Sequence, residues 1–128
     1  MRGATPVEAA AWVLTAGLLA ATVFWPDWSA ERQLAETRRA AEAVLRRVAD
    51  GQRVLFDTAG RYAPFGAAPA EREAALPGLD LGAGAELFQL EALEDRPGLL
   101  RIRAITRPEA VRRGAAAPLL QEIEIGGR

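Results

Sequence analysis

The sequence predicts an α+β fold: a long N-terminal helix, apolar in its first half and amphipathic in its second, packed on a small antiparallel sheet of three to four strands. Three observations predict it. Ala9–Trp25 carries no charge and is built of Ala, Val, Leu, Trp, Phe, Thr and a single Gly17, and from Ala30 to about Leu55 apolar residues recur at three- and four-residue steps. A loop follows over 59–86, rich in Ala, Gly and Pro from residue 65. From Leu87 onward the period changes to two.

The apolar run comes first. As a helix its 17 residues reach about 25 Å at roughly 1.5 Å per residue, the short end of what a bilayer needs. Glu8 stands at its head, and Pro26 and Asp27 close it. Three readings compete. A cleaved secretory signal has a basic start, which Arg2 supplies, but Glu8 interrupts the front of the core and Trp28 stands where a small residue belongs before Ser29-Ala30. An uncleaved signal anchor fits better: Arg2 lies on one side, Asp27 and Glu31 on the other, which puts the N-terminus in the cytoplasm. Neither explains Glu8. An acid inside a membrane segment costs about 2.5–3.5 kcal/mol at mid-depth and usually has a partner. In the headgroup zone the cost is small.

The third reading accounts for that acid. Gly3 precedes the string Ala4-Thr5-Pro6-Val7-Glu8; Gly17 falls nine residues after Glu8, and Pro26 follows the run. In these residues the sequence resembles the type IV pilin-like family: pilins, minor pilins and type II secretion pseudopilins. The resemblance implies a leader, residues 1–3, cut after Gly3 by a prepilin peptidase, with methylation of the new N-terminus at Ala4. Thr5 matches the common second-position threonine and Glu8 the fifth-position glutamate. Gly17 and Pro26 fall at or near the helix positions where the family carries glycine and proline. Residues 4–26 become the transmembrane and assembly helix, and 27–128 a periplasmic domain. Ala4 stands where the family usually has phenylalanine or methionine, Pro6 where an aliphatic residue is common, and Trp12 and Trp25 are bulkier than the family norm. A proline in a first helical turn is tolerated, because its missing N–H has no intrahelical partner there.

The resemblance further implies the partners: the peptidase, sibling pilin or pseudopilin subunits meeting through the N-terminal helix, an inner-membrane assembly platform and the lipid bilayer. Its physical sense is that cleavage creates an ammonium in a low-dielectric bundle, where a neighbouring subunit's Glu8 can neutralise it. A buried ion pair adds modest net stability, but leaving one partner alone is costly, so the pair fixes register between subunits. The implied localisation is the bacterial inner membrane, single-pass, with the C-terminal domain periplasmic and the chain within a pilus or pseudopilus after assembly.

Beyond the run, Asp27 or Ser29 is expected to cap a renewed helix. Its stripe reads Leu34, Ala41, Leu45, Val48, Gln52 and Leu55, with Arg32, Glu36, Arg39, Glu42, Arg46 and Arg47 largely off it. Glu42 and Arg46 are four apart in the favourable order. Asp50-Gly51 is read as tolerated within the helix, which ends at about 58. Gly60 suits a left-handed cap and Pro64 prevents resumption; the pilin-like family often leaves its long helix through such a glycine and a tyrosine, here Tyr62. Tyr62 is read as a packing residue. The loop contains a short helical turn at Ala70–Leu76, and its acids lack the spacing of a calcium loop. Strands are expected at Leu87–Leu93, Leu99–Thr106 and Leu119–Ile125, with Asp95-Arg96-Pro97-Gly98 as a turn and Pro108–Pro118 as a polar loop. Leu100, Ile102, Ala104 and Thr106 alternate against Leu99, Arg101, Arg103 and Ile105, and the two arginines mark a solvated face. Three strands in series make a meander with one apolar face, and the helix is its cover.

Composition narrows the function. The net charge is −1, and the 16 basic residues are all arginine, interspersed with 17 acids, so no nucleic-acid footprint is predicted. Histidine, cysteine and lysine are absent. That removes the usual general base, zinc ligands, thiolate, Schiff-base amine and P-loop lysine. A carboxylate-only hydrolase needs two converging acids, and no such pair stands out. No catalytic residue, metal or cofactor is expected, and the chain is read as a structural subunit and not an enzyme. The alternative from another class is an uncleaved single-pass anchor carrying a periplasmic binding or scaffold domain.

Overall fold

The computed structural model describes the backbone of residues 6–126 and the side chains of residues 28–126. Helix α1 spans Pro6–Ala59, α2 Pro69–Ala75 and α3 Pro108–Arg112; the strands are β1, Phe88–Arg96, β2, Leu99–Thr106, and β3, Leu120–Gly126. The chain divides into two compact units, Met1–Arg32 and Gln33–Arg128.

In the first unit the helix does not reset at Asp27-Trp28-Ser29, as the sequence suggested. It is helical through Pro26, and neither Asp27 nor Ser29 is a cap. A proline inside a helix removes one backbone bond, here the one to the carbonyl four residues earlier, at Thr22, and the turns on either side keep theirs. One turn further on, the guanidinium of Arg32 lies 5.4 Å from the ring centroid of Trp28, close enough for a cation–π contact.

In the second unit α1 buries Thr37, Ala41, Val44, Leu45, Val48, Ala49 and Gln52. The face is wider than the stripe read from the sequence: Val44, Ala49 and Thr37 join it, while Leu34 and Leu55 are only half-buried. Val44, Leu45 and Val48 form one apolar core with Phe88 and Leu90 of β1, Leu100 and Ile102 of β2 and Ile125 of β3. Gly51 sits within the helix because Leu79 crosses it there; a Cβ at this position would come within 3.1 Å of the Leu79 Cδ1. The helix ends on Gly60, whose φ is +73°. Its N–H donates to the Phe56 carbonyl at 2.8 Å, an αL cap.

The sheet is antiparallel in the order β1-β2-β3. Its inner face carries Phe88, Leu90, Ala92, Leu100, Ile102, Ala104 and Ile125, all buried, so the period-two alternation of β2 is met in full. β1 runs to Arg96, three residues past its expected end, with a bulge between Glu94 and Arg96. The stretch expected as a plain polar loop after β2 holds α3, with Pro108 at its start and Glu109 in its first turn, the favoured residue types for those places. α2 occupies the expected helical turn in the longer loop, also opened by a proline.

Three polar side chains are buried among the described residues, and each pins a connection to the core. Gln52 holds Ala63 with both ends of its amide: its Nε2 donates to the Ala63 carbonyl at 2.7 Å, and its Oε1 accepts from the Ala63 N–H at 2.8 Å. Thr37 Oγ1 accepts from the Ala117 N–H at 3.0 Å, while Thr106 Oγ1 donates to the Ala117 carbonyl at 2.8 Å. The segment between β2 and β3 is thus held from α1 on one side and from β2 on the other.

Candidate functional site

The residues singled out at the N-terminus fall in two groups. Gly3 and Ala4 lie outside the described residues. Glu8, Trp12, Gly17, Trp25 and Pro26 lie on α1 by their backbone, with side chains outside the described residues. Among the described residues, no helix is long and apolar enough to cross a membrane; the candidate span Ala9–Trp25 is not among the side chains so described.

Among the described residues, no group of three or more acids is placed to hold a metal ion. Tyr62 packs as expected, stacking on Phe56 with ring centroids 4.6 Å apart. It borders an open cleft of about 600 Å³ whose lining includes Arg61, Phe65, Glu71 and Ala75. The arginines of β2 are engaged on the outer sheet face. Arg103 Nε donates to Glu122 Oε1 at 2.8 Å. Arg101 reaches Asp95 at 2.7 Å, with Glu124 at 3.6 Å and Glu122 at 3.9 Å from its Nε.

Register explains this arrangement. Glu91, Arg103 and Glu122 lie side by side across the three strands, as do Leu93, Arg101 and Glu124. Each arginine of the central strand has a carboxylate beside it on β3, and opposite charges facing one another across strands are favourable. The face stays acid-rich, with Glu91, Asp95, Glu122 and Glu124 around Arg101 and Arg103.

The two edges of the sheet differ. On β1, Ala92 exchanges both backbone bonds with Phe65, each 2.9 Å, and the Phe88 carbonyl accepts from Arg107 Nε at 3.1 Å. At the other edge, the Thr106 N–H at the end of β2 donates to the carbonyl of Leu119, the residue before β3, at 3.0 Å. Antiparallel pairs alternate between bonded and non-bonded. With Ile105 opposite Leu120, this makes Gln121, Ile123 and Ile125 the residues bonded to β2. Leu120, Glu122 and Glu124 then direct their N–H and C=O groups to the open side, where no backbone bond to them occurs among the described residues. Beside this edge lies a groove of about 500 Å³ between α1 and β3, with Ala49, Ile123 and Ile125 as its apolar part and Glu42, Arg46, Asp50 and Arg53 among its charged residues.

Sequence reasoning placed Arg101 and Arg103 on an outer face but missed the open edge. The available signal was the run Leu119–Ile125, which has no proline and no charge at its inward positions Gln121, Ile123 and Ile125, while Glu122 and Glu124 charge its outer face. Compared with known proteins, the chain matches no family model, no curated protein and no solved structure.

Proposed function

We propose that the chain is a filament subunit of the type IV pilin-like kind, a minor pilin or a type II secretion pseudopilin. The observation that carries this is the spacing Gly3 to Glu8 followed by the charge-free run Ala9–Trp25. The subunit is stored in the inner membrane, cut after Gly3 by a prepilin peptidase, methylated on Ala4 and drawn by the assembly platform into a helical array. Apolar helices form the core of the array, and Glu8 of one subunit neutralises the Ala4 ammonium of the next. Contacts of this heterologous kind, repeated along a screw axis, build an open filament. An α+β domain with a long N-terminal helix and an antiparallel sheet is compatible with this role.

Intact-mass and N-terminal sequencing of the protein extracted from membranes tests it. The expected product begins at a methylated Ala4 and has lost Met1-Arg2-Gly3. An intact N-terminus in a host with an active prepilin peptidase overturns the reading and favours the uncleaved anchor.

A further inference from the structure

We propose that the free edge of β3 is a docking site for an extended segment of a different polypeptide, one in which basic and apolar residues alternate, and that this segment adds as a fourth strand. The inference goes beyond the filament reading and does not depend on cleavage at Gly3. It starts from the asymmetry of the sheet. The β1 edge is partly closed, by Phe65 at Ala92 and by Arg107 at Phe88. The β3 edge carries the outward N–H and C=O groups of Leu120, Glu122 and Glu124, a template for pairing with another chain.

The chemistry of the occupant follows from the rows that cross the sheet. Glu91, Arg103 and Glu122 make an acid-base-acid row, and the next position beyond Glu122 calls for a base. Glu124 sets the same demand two residues on, because Arg101 lies on its other side, 3.6 Å away. On the inner face the added strand sits over the groove, where Ile123 and Ile125 flank it on the β3 side and Glu42, Arg46, Asp50 and Arg53 line the helix side, so apolar side chains at the alternate positions pack beside Ile123 and Ile125. The pattern required is therefore base, apolar, base, apolar. That is the pattern of β2 itself, Arg101-Ile102-Arg103-Ala104, which satisfies the same carboxylates from the other side.

A second copy does not fit. Its β3, paired antiparallel about a twofold axis along its whole length, sets Glu122 and Glu124 against the same carboxylates of the partner strand, and like charges directly opposite are destabilising. Its β1 brings Glu91 to the outer face. Its β2 is central and already paired on both sides. Among the described residues no strand is both free and basic, and the occupant proposed is a segment of another protein.

The test uses the full chain in detergent and two capped peptides: one copying Leu100–Ile105, the other identical but with glutamate replacing both arginines. Binding is followed by fluorescence anisotropy and amide hydrogen exchange. The basic peptide is expected to bind at least about tenfold more tightly than the acidic one, since each of two facing pairs changes sign. It should slow exchange at Leu120, Glu122 and Glu124. The Glu122→Arg, Glu124→Arg double variant should reverse the preference, and N-methylating the peptide at alternate amides should abolish binding in one of the two phases. Three outcomes overturn the proposal: equal binding of the two peptides; binding with no added protection at those amides; or concentration-dependent dimerisation of the chain that protects the same amides without any peptide.

Discussion

Gln52 sits in the apolar stripe of α1 with no exposed surface, and both ends of its amide are taken by Ala63. A side chain in this position acts as a short piece of strand, presenting a donor and an acceptor to one backbone unit. Replacing it leaves that unit's N–H and C=O without partners, at about 1–3 kcal/mol for each group that stays buried. Gln52→Leu is expected to destabilise the domain by about 2–3 kcal/mol, seen as a fall of roughly 10 °C or more in the thermal midpoint by circular dichroism. Gln33→Leu removes a more exposed bond, to the Gly114 carbonyl, and should cost less than about 1 kcal/mol. Equal effects of the two would show that the Ala63 clamp is not what Gln52 supplies. Thr37 and Thr106 meet at Ala117 from opposite sides. Thr37→Val and Thr106→Val are each expected to cost about 1–2 kcal/mol, and the pair together less than the sum, because either loss frees the same segment. A double-mutant cycle in urea measures this; strict additivity would mean the threonines act separately. Sequence periodicity put Gln52 on the stripe and Thr106 on the inner face of β2. It gave no sign of Thr37, or of the partner of any of the three. Those partners lie 11 to 80 residues away, and a local period carries no information about such distances.

At the level of elements, the strands were the most legible part, because one face of each is buried and a shift of one residue would invert every side chain. Leu100, Ile102, Ala104 and Thr106 face inward along β2 as their alternation predicts. What was not legible has a local cause in each case. Pro26 closes the charge-free run and suggests a reset of the helix after it, yet one missing backbone bond does not interrupt α1. α3 was missed because five residues are too few for a periodic signal, although Pro108 and Glu109 mark its start. The end of the sheet holds a tighter constraint. Gly126 has φ +89°, and a Cβ there would overlap the Gly98 carbonyl oxygen and touch the Tyr62 hydroxyl at 3.2 Å. Gly126→Ala is therefore expected to cost about 1–3 kcal/mol from the backbone conformation alone, with the overlap adding to it. Gly114 also has positive φ, at +72°, but open space around its Cβ position. Gly114→Ala should thus show the conformational part only. Thermal melts of the two variants separate the terms; a Gly126→Ala variant no less stable than Gly114→Ala would mean the β1–β2 turn gives way freely.

For the whole molecule, the proposed filament reading turns on Glu8, whose effect on that reading belongs to an assembly. A carboxylate within a membrane segment is costly at mid-depth, cheap in the headgroup zone, and usually has a partner; the anchor reading supplies none. On the proposed filament reading it has one between subunits: it would meet an ammonium that exists only after cleavage at Gly3. Removing one member of a buried ion pair costs about 3–5 kcal/mol, because the other is left charged and unpaired. In the proposed filament that penalty would recur at each subunit contact. Glu8→Gln is expected to leave the chain folded and in the membrane, with cleavage at Gly3 retained, while incorporation into sheared or co-purified filaments falls by at least about tenfold. Glu8→Asp, which keeps the charge on a shorter arm, should recover part of the loss. The readout is the ratio of filament-bound to membrane-bound protein in a host that also makes the sibling subunits. Gly3→Val serves as the complementary change, since it should keep the leader uncut and block assembly with Glu8 still in place. The two variants fail for opposite reasons, one lacking the carboxylate and the other the amine. Combining them should therefore be no worse than either alone. Wild-type incorporation of Glu8→Gln would leave the acid without a function in assembly and return the chain to an anchored domain, with the β3 edge as its remaining candidate for recognition.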